Sequence, residues 1–164
     1  MTAYIDETAD VSPAASIGSG SAVWNWTKIR EGAHLGAGVT VGQHVYIDHD
    51  VRIGDRCKIQ NGANVFAGVT LGDEVFIGPS VTFTNDLNPR AVGEWTVTET
   101  VVEDGASIGA NSTIVCGVRL GAGCMVGAGS VVVRDVAPGE LVVGNPARVI
   151  GHVDADGNRV EMAR

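Results

Sequence analysis

The side chains in this chain that are best suited to bind a polar ligand lie in one short segment, residues 84–95. Asn85 and Asp86 come near the start of the segment, and Arg90 follows four residues after Asp86. An amide both donates and accepts hydrogen bonds, and a guanidinium can bind two oxygens of a pyrophosphate at once. Because Asn, Asp, Pro and Gly recur in the segment and favour turns, we expect a polar loop. The alternative interpretation is an ordinary surface arginine beside turn residues that satisfy their own loop.

A six-residue repeat surrounds this segment and predicts the fold. Every sixth position from Val11 to Phe83, and again from Val102 to Val132, is Val, Ile, Leu or Phe. The residue two places before each of these positions is Ala, Ser, Thr, Cys or Val, and the glycines within the repeat come one or three places after it. This spacing predicts short β-segments, each with two inward residues, joined by tight turns at which glycine takes backbone angles forbidden to other residues.

Three such segments would close a triangular coil of 18 residues, and successive coils would stack parallel strands about 4.8 Å apart. Repeats of this kind are typical of the parallel β-helix, a solenoid fold. An α-helix would need an apolar spacing near 3.6, and an antiparallel sheet would not repeat its turn every six residues. We therefore predict an all-β parallel β-helix.

The repeat breaks once, between Phe83 and Val102. These two apolar positions are 19 residues apart, and the expected apolar positions between them hold Pro89 and Trp95. A loop that interrupts a strict repeat is a strong candidate for the functional site. A neutral insertion is the alternative.

The repeat also predicts the domain organisation. We expect one β-helix domain at residues 9–150, interrupted by a protruding loop at 84–101. A short C-terminal tail would follow at 151–164.

Composition narrows the classes of partner and the compartment. The formal net charge of −8 argues against a nucleic-acid or anionic-membrane partner. The sequence shows no basic-then-apolar start and no apolar run of about 18 residues, so we expect neither a signal peptide nor a membrane-spanning segment. The three cysteines, Cys57, Cys116 and Cys124, have no metal-type pairing, so we expect free thiols and a cytoplasmic protein.

Two sequence motifs carry a resemblance to a known family. The run FTND at residues 83–86 with NPR at 88–90, and the run GASIGANSTIVCGV at 105–118, resemble the signature of N-acetyltransferases that act on nucleotide-linked 3-amino sugars. The ending GNPAR at 144–148 is similar to that of hexapeptide-repeat acyltransferases more broadly. The resemblance implies a left-handed β-helix and transfer of an acyl group, most simply acetyl, from its coenzyme A thioester to a sugar amine.

The family resemblance also implies an assembly and a set of site residues. In the family, coenzyme A lies in a groove between neighbouring subunits. Outward Trp24, Trp26 and Tyr46, on flat faces that need covering, add to the expectation of a homotrimer. By resemblance, Asn85 orients the amine of the substrate. The remaining expected contacts are Gln60, Asn61, Asp86 and Arg90 for the nucleotide-linked sugar, and Ala110, Ala128, Arg134 and Arg148 for acetyl-CoA.

Several of these assignments have alternatives. Asn25, Gln43 and Asn61 are spaced 18 apart, so they could form a hydrogen-bonded amide ladder instead of a substrate contact. Ala110 and Ala128 share that spacing and would form a smooth lane for a pantetheine arm, whereas the arginines could simply be surface residues.

Three other functions compete with N-acyl transfer. A histidine base would suit sugar O-acetyltransfer, and the spacing stacks His49 two coils below Asn85. His44 and His49 are five apart, as in carbonic anhydrases of this fold, but zinc needs a third ligand. Thr8 and Pro13 occupy the positions two coils earlier, so we expect no metal. A non-catalytic scaffold is the last alternative.

Overall fold

The computed structural model describes residues 2–160, and all of its regular secondary structure is β-strand. The strands are β1 (Tyr4–Ile5), β2 (Asp10–Val11), β3 (Ser16–Ile17), β4 (Ala22–Val23), β5 (Lys28–Ile29), β6 (His34–Leu35), β7 (Thr40–Val41), β8 (Tyr46–Ile47), β9 (Arg52–Ile53), β10 (Lys58–Ile59), β11 (Asn64–Val65), β12 (Val69–Leu71), β13 (Phe76–Ile77), β14 (Thr82–Phe83), β15 (Thr100–Val102), β16 (Ser107–Ile108), β17 (Thr113–Ile114), β18 (Arg119–Leu120), β19 (Met125–Val126), β20 (Val131–Val132), β21 (Glu140–Gly144), β22 (Ala147–Val153) and β23 (Arg159–Val160).

The strands form three stacked sheets, and each turn of the chain adds one strand to each sheet. Sheet A begins β1-β4-β7-β10-β13-β16-β19, sheet B is β2-β5-β8-β11-β14-β17-β20, and sheet C is β3-β6-β9-β12-β15-β18. Neighbouring strands pair in parallel with an offset of one coil, as in Lys58 with Thr40. The predicted left-handed parallel β-helix is confirmed, with about 8 turns. We number the coils from the N-terminus, so that β1–β3 form coil 1 and β16–β18 form coil 6.

The core is the column of apolar residues that the six-residue spacing predicted. Ile29, Ile47 and Val65 stack on one another in sheet B and are completely buried. The second inward position of each segment is small because two facing segments must fit inside the narrow prism, as at Ala63 and Cys57. Burial of one such Ile or Val side chain contributes roughly 1.5–3 kcal/mol.

Short turns at the three edges of the prism connect the sheets, and these edges position the candidate site. We call the edge between sheets A and B the AB corner, and it comprises residues 6–9, 24–27, 42–45, 60–63, 78–81, 109–112 and 127–130. The edge between sheets B and C is the BC corner, at residues 12–15, 30–33, 48–51, 66–68, 84–99 and 115–118. The third edge, between sheets C and A, is the CA corner.

Carboxylates at the CA corner cap the turns of the coil below. Asp55 accepts a hydrogen bond from the backbone N–H of Ala37 at 2.8 Å, Asp73 accepts one from Asp55 at 2.7 Å, and Asp104 accepts one from Asp73 at 2.8 Å. A turn residue without a side-chain oxygen leaves the N–H below it without this partner.

The protruding loop leaves the BC corner of coil 5. The backbone N–H of Thr84 still bonds to Ile114 of the next coil, and the N–H of Thr98 bonds to the Asn85 carbonyl at 2.8 Å. This bond closes the base of the loop, and β15 then resumes the repeat at Thr100.

The two ends of the described chain extend beyond the regular repeat. β1 lies before residue 9, the predicted start of the domain, because Tyr4 and Ile5 pair with coil 2. At the other end β21 continues sheet A, and β22 and β23 add to it in antiparallel orientation. β22 therefore runs through the predicted boundary at residue 150, and the last four residues of the predicted tail lie outside the described residues. No helix in residues 2–160 could span a bilayer.

Candidate active site

Asn85 lies at the base of the protruding loop, directly after the coil-5 strand of sheet B. Its backbone carbonyl is bound by Thr98, which fixes the position of the residue. The half-buried Asn85 side-chain amide has no hydrogen-bond partner among residues 2–160. A held backbone with a free amide suits the predicted role of contacting a substrate.

Asp86 and Arg90 are engaged within the loop itself. Asp86 accepts a hydrogen bond from the backbone N–H of Asn88 at 2.8 Å, which is a local turn bond. The exposed Arg90 guanidinium donates to the carbonyl of Pro89 at 2.8 Å. Contact of either side chain with a substrate would therefore occur at the exposed surface of the loop.

Gln60 and Asn61 lie at the AB corner, where they line an open cleft of about 260 Å³. We call it the Trp24 cleft, and its lining includes Trp24, Asn25, Thr40, Gln43, Gln60 and Asn61. The amide ladder considered from the sequence is absent from the described structure. Asn61 accepts a hydrogen bond from the backbone N–H of Gln43 at 3.1 Å, but the amides of this column do not bond to one another.

Ala110 and Ala128 lie at the same corner, farther along the prism. Pro79 and these two alanines continue the Asn61 column in coils 5 to 7, and none of them carries a capping oxygen. Because Ala128 has no side-chain oxygen with which to cap the turn below it, the backbone N–H of Ala110 has no acceptor within the part of the chain that the structure describes, and the N–H of Ala128 has none either. Free N–H groups beside small side chains can bind the amide carbonyls of an extended ligand.

Arg134 and Arg148 line one small cavity of about 80 Å³ between the last coil and the C-terminal hairpin. Both side chains are exposed, and Arg148 donates to the carbonyl of Ala147 at 2.9 Å. Two cations around one cavity can bind phosphate groups.

The structure divides the predicted site residues between two corners of one chain. Gln60, Asn61, Ala110 and Ala128 are at the AB corner, whereas Asn85, Asp86 and Arg90 are in the loop of the BC corner. Arg134 follows the last strand of sheet B on that same side. For Ala110 and Ala128 the spacing could not reveal this separation, because the length of the interruption does not fix the sheet at which the repeat resumes.

A buried ionic group at the BC corner was missed from the sequence. Asp48 is only 6% exposed and accepts hydrogen bonds from Arg30, from the Tyr46 hydroxyl and from the backbone N–H groups of His49 and Ala67. Burial opposes ionisation of this carboxyl, but the hydrogen bonds from His49, Ala67 and Tyr46 outweigh it and lower the pKa of Asp48. The sequence signal that could have revealed this group is the 18-residue spacing between Arg30 and Asp48, which places the two side chains in neighbouring coils.

The histidines do not form a metal centre. His44 is at the AB corner, where its ring stacks on Trp26 at 4.9 Å. His49 is at the BC corner, two coils below Asn85 as expected, and its Nδ1 is 3.0 Å from Asp50. No group of three metal-binding side chains occurs within residues 2–160.

Comparison with protein families matches two tracts of the chain. The model described as bacterial transferase hexapeptide (six repeats) matches residues 32–67 and 99–134, the two halves of the repeat on either side of the loop. A hexapeptide-repeat acetyltransferase from Vibrio cholerae, solved with acetyl coenzyme A, is 33% identical with a TM-score of 0.56, and the match covers 70% of each chain. The chain therefore belongs to the bacterial hexapeptide-repeat transferase family.

Two further similarities are to sugar N-acetyltransferases. A dTDP-3-amino-3,6-dideoxy-alpha-D-galactopyranose 3-N-acetyltransferase from Aneurinibacillus thermoaerophilus is 59% identical over 54 residues, which is 33% of this chain and 28% of the relative. A perosamine N-acetyltransferase mutant from Caulobacter crescentus, solved with CoA and GDP-perosamine, is 27% identical with a TM-score of 0.62, covering 92% of this chain and 57% of that one. The predicted family resemblance is confirmed, and the chain spans less than a third of the length of the curated relative.

Proposed function

We propose that this protein is an acetyl-CoA-dependent N-acetyltransferase that acts on the amine of a nucleotide-linked amino sugar. The observation that carries the proposal is the pairing of an unpartnered Asn85 amide on one edge of sheet B with a lane of free N–H groups on the other. The 59% identity to a nucleotide amino-sugar N-acetyltransferase over a third of the chain supports the choice of acceptor.

The proposed chemistry requires mainly positioning. A neutral amine attacks the thioester carbonyl, so that a C–N bond forms, the C–S bond breaks and coenzyme A leaves as the thiolate, while the amine loses one proton to solvent. The Asn85 amide oxygen accepts a hydrogen bond from an N–H of the amine and thereby aims the lone pair of the amine at the thioester carbonyl. No strong general base is needed for such a nucleophile.

The acetyl-CoA would lie along the AB corner of coils 6 and 7. The N–H groups of Ala110 and Ala128 would bind the amide carbonyls of the pantetheine arm, because no protein group among residues 2–160 occupies them. Arg134 and Arg148 would bind the phosphates at the C-terminal end of the prism. Gln60, Asn61, Asp86 and Arg90 would contact the nucleotide-linked sugar.

A single chain cannot assemble this site, because sheet B separates its two halves. In a cyclic trimer, packing through sheet B brings the AB corner of one copy against the BC corner of the next. We call the stacked residues Ala110 and Ala128 the alanine lane. Packing through sheet A would leave Asn85 outside the interface, and packing through sheet C would leave the alanine lane outside it. The proposed function therefore includes a homotrimer with sheet B around the three-fold axis.

The outer face of sheet B suits such an interface. The outward residues of coils 3–7 on this sheet are half-buried and uncharged, namely Tyr46, Asn64, Thr82, Thr113 and Val131. Sheet C instead presents Arg52 and Arg119 to solvent. Interface cores are depleted in charged residues.

We also propose a cytoplasmic location. The three cysteines are buried and unpaired, which fits a reducing compartment.

The test of the function has two parts. Acetyl-CoA should raise the melting temperature of the protein, because a ligand stabilises the folded state that binds it. Release of the coenzyme A thiol should then depend on a nucleotide-linked amino sugar from a panel of UDP, dTDP and GDP sugars. No stabilisation by acetyl-CoA and no thiol release with any panel member would contradict the proposal.

O-Acetyltransfer is the second candidate, because Asp50 holds the ring of the partly exposed His49. A histidine base would be needed to activate a hydroxyl. Parallel assays with amino sugars and their hydroxyl counterparts separate the two candidates.

A further inference from the structure

The Trp24 cleft has one aromatic wall. The Trp24 indole is 44% exposed, and the Tyr4 ring packs against it with the centroids 5.4 Å apart and the planes tilted by 55°. Tyr4 thus limits the movement of the indole while much of the Trp24 surface stays accessible. An exposed indole face that is held in place stacks well on another flat ring.

The rest of the cleft is polar but uncharged. The side-chain amides of Asn25, Gln43 and Gln60 have no hydrogen-bond partner in the described part of the chain. Amides supply donors and acceptors together, and none of the described lining residues is charged. This lining, as one copy of the chain supplies it, fits a neutral heteroaromatic ring with both kinds of group at its edge.

The position of the cleft relative to Asn85 favours the same occupant. The cleft spans coils 2–4, whereas Asn85 follows the coil-5 strand and the alanine lane occupies coils 6 and 7. An acceptor that reacts at Asn85 must therefore extend away from the acyl donor, toward the cleft. Trp24 and Asn85 are three coils apart along the prism, about 14 Å, a span that a ribose and a diphosphate together can bridge.

We propose that the Trp24 cleft binds the base of the nucleotide that carries the sugar, with the base stacked on Trp24 and its edge bound by the amides of Asn25, Gln43 and Gln60. This inference rests on the proposed function and on its trimer. In this arrangement the uncharged base of the nucleotide lies at the N-terminal coils, and the sugar lies beside Asn85.

Nucleotide binding without any acyl donor tests this assignment. In a Trp26→Phe/Trp95→Phe variant, Trp24 is the only tryptophan, and titration with UDP, dTDP and GDP should change its fluorescence. In calorimetry with the best of these nucleotides, Trp24→Ala should raise the Kd about 5- to 150-fold, as expected for the loss of one stacked ring. Trp24→Phe should restore most of the affinity.

Trp26→Ala is the matched control. Trp26 is an exposed tryptophan of the same turn, but it stacks on His44 and does not line the cleft. Once sedimentation velocity has verified that the variant keeps the wild-type assembly, its nucleotide Kd should equal that of the wild type. With a competent substrate, Trp24→Ala should raise the KM for the nucleotide sugar and leave the KM for acetyl-CoA unaltered. Because all of these variants keep the core, circular dichroism can verify that each is folded.

The possible outcomes separate this inference from the function. Nucleotide binding that depends on Trp24, without any acetyl transfer, would support the cleft assignment and contradict the proposed activity. Acetyl transfer with equal nucleotide affinity in the wild type and in Trp24→Ala would overturn the cleft assignment alone. A fluorescence response to free monosaccharides but not to nucleotides would also overturn it.

Discussion

Asn85 and Ala110 lie at opposite edges of the same sheet. Asn85 follows β14, and Ala110 precedes β17, the hydrogen-bonded neighbour of β14 in sheet B. In the proposed trimer, the residue proposed to orient the amine therefore meets the residue proposed to bind the thioester arm across the interface between two copies.

Replacement of Asn85 by Ala should lower kcat about 100-fold, a typical cost of misplacing a reacting group, with the KM for acetyl-CoA unchanged. The amide has no structural partner among residues 2–160, so the melting temperature should stay close to that of the wild type. Asn88→Ala, in the same loop, is the control and should retain activity. Steady-state kinetics with equal turnover in all three proteins would exclude a role for Asn85.

A charge on the outer face of sheet B should break the assembly. Thr113→Arg inserts a cation into a half-buried position on β17, so sedimentation velocity should show monomers and transfer activity should be lost. Thr70→Arg makes the same change at an exposed outward position on β12 of sheet C, and it should leave both properties intact. A trimeric, active Thr113→Arg protein would contradict the proposed interface.

Asp48→Asn should destabilise the protein at neutral pH by about 2 kcal/mol, because it removes a charged acceptor of several hydrogen bonds. Since folding lowers the pKa of Asp48 below its ordinary value of 3.8, the ionised carboxylate contributes stability at neutral pH. That contribution disappears as the pH falls through 3.8 toward the lower folded value. The difference in unfolding free energy between wild type and variant should therefore shrink below about pH 4, as measured by urea denaturation.

The control for this experiment is Asp50→Asn, which changes an exposed carboxylate two residues away. It should alter the unfolding free energy little at any pH. If the difference in unfolding free energy between wild type and Asp48→Asn stayed constant from about pH 3 to about pH 7, folding would not lower the pKa of Asp48 and the prediction would be refuted.

Gly109→Ala should destabilise the prism by about 3 kcal/mol, near the upper end for overpacking. The added Cβ would lie 2.5 Å from the backbone nitrogen of Ala128 and 2.8 Å from its Cα, and neither atom can move without shifting the next coil. Gly123→Ala meets no atom within 4 Å and carries only the strain of a positive φ of 61°, about 1 kcal/mol. Guanidinium titrations should rank Gly109→Ala well below Gly123→Ala, and equal stabilities would contradict the tight stacking at this corner.

Much of the fold could be predicted from the sequence because the repeat encodes it directly. A coil of fixed length brings each apolar position above the same position of the previous coil, so Ile29, Ile47 and Val65 had to stack. The family resemblance was likewise carried by local runs, at residues 83–86 and 105–118. The predicted 18-residue alignment of Ala110 with Ala128 followed from the same arithmetic.

The regular spacing of the residues could not reveal the side-chain contacts that connect neighbouring coils. The Asp48 group depends on where the Arg30 and Tyr46 side chains turn, and the Trp24 cleft depends on the packing of Tyr4 against the indole. These contacts are determined by rotamers and by the exact twist of the prism. Neither property is a function of spacing.

The strict six-residue period was enough to predict the three-sided β-helix, its single interruption and the residues that could bind a ligand, because such a period leaves one way to bury its apolar positions. The structure was needed to place Ala110 and Ala128 at the corner of Asn61, with sheet B between them and Asn85. The interval between Phe83 and Val102 does not fix which sheet the chain rejoins after the loop, and the strand pairing shows that it rejoins at sheet C.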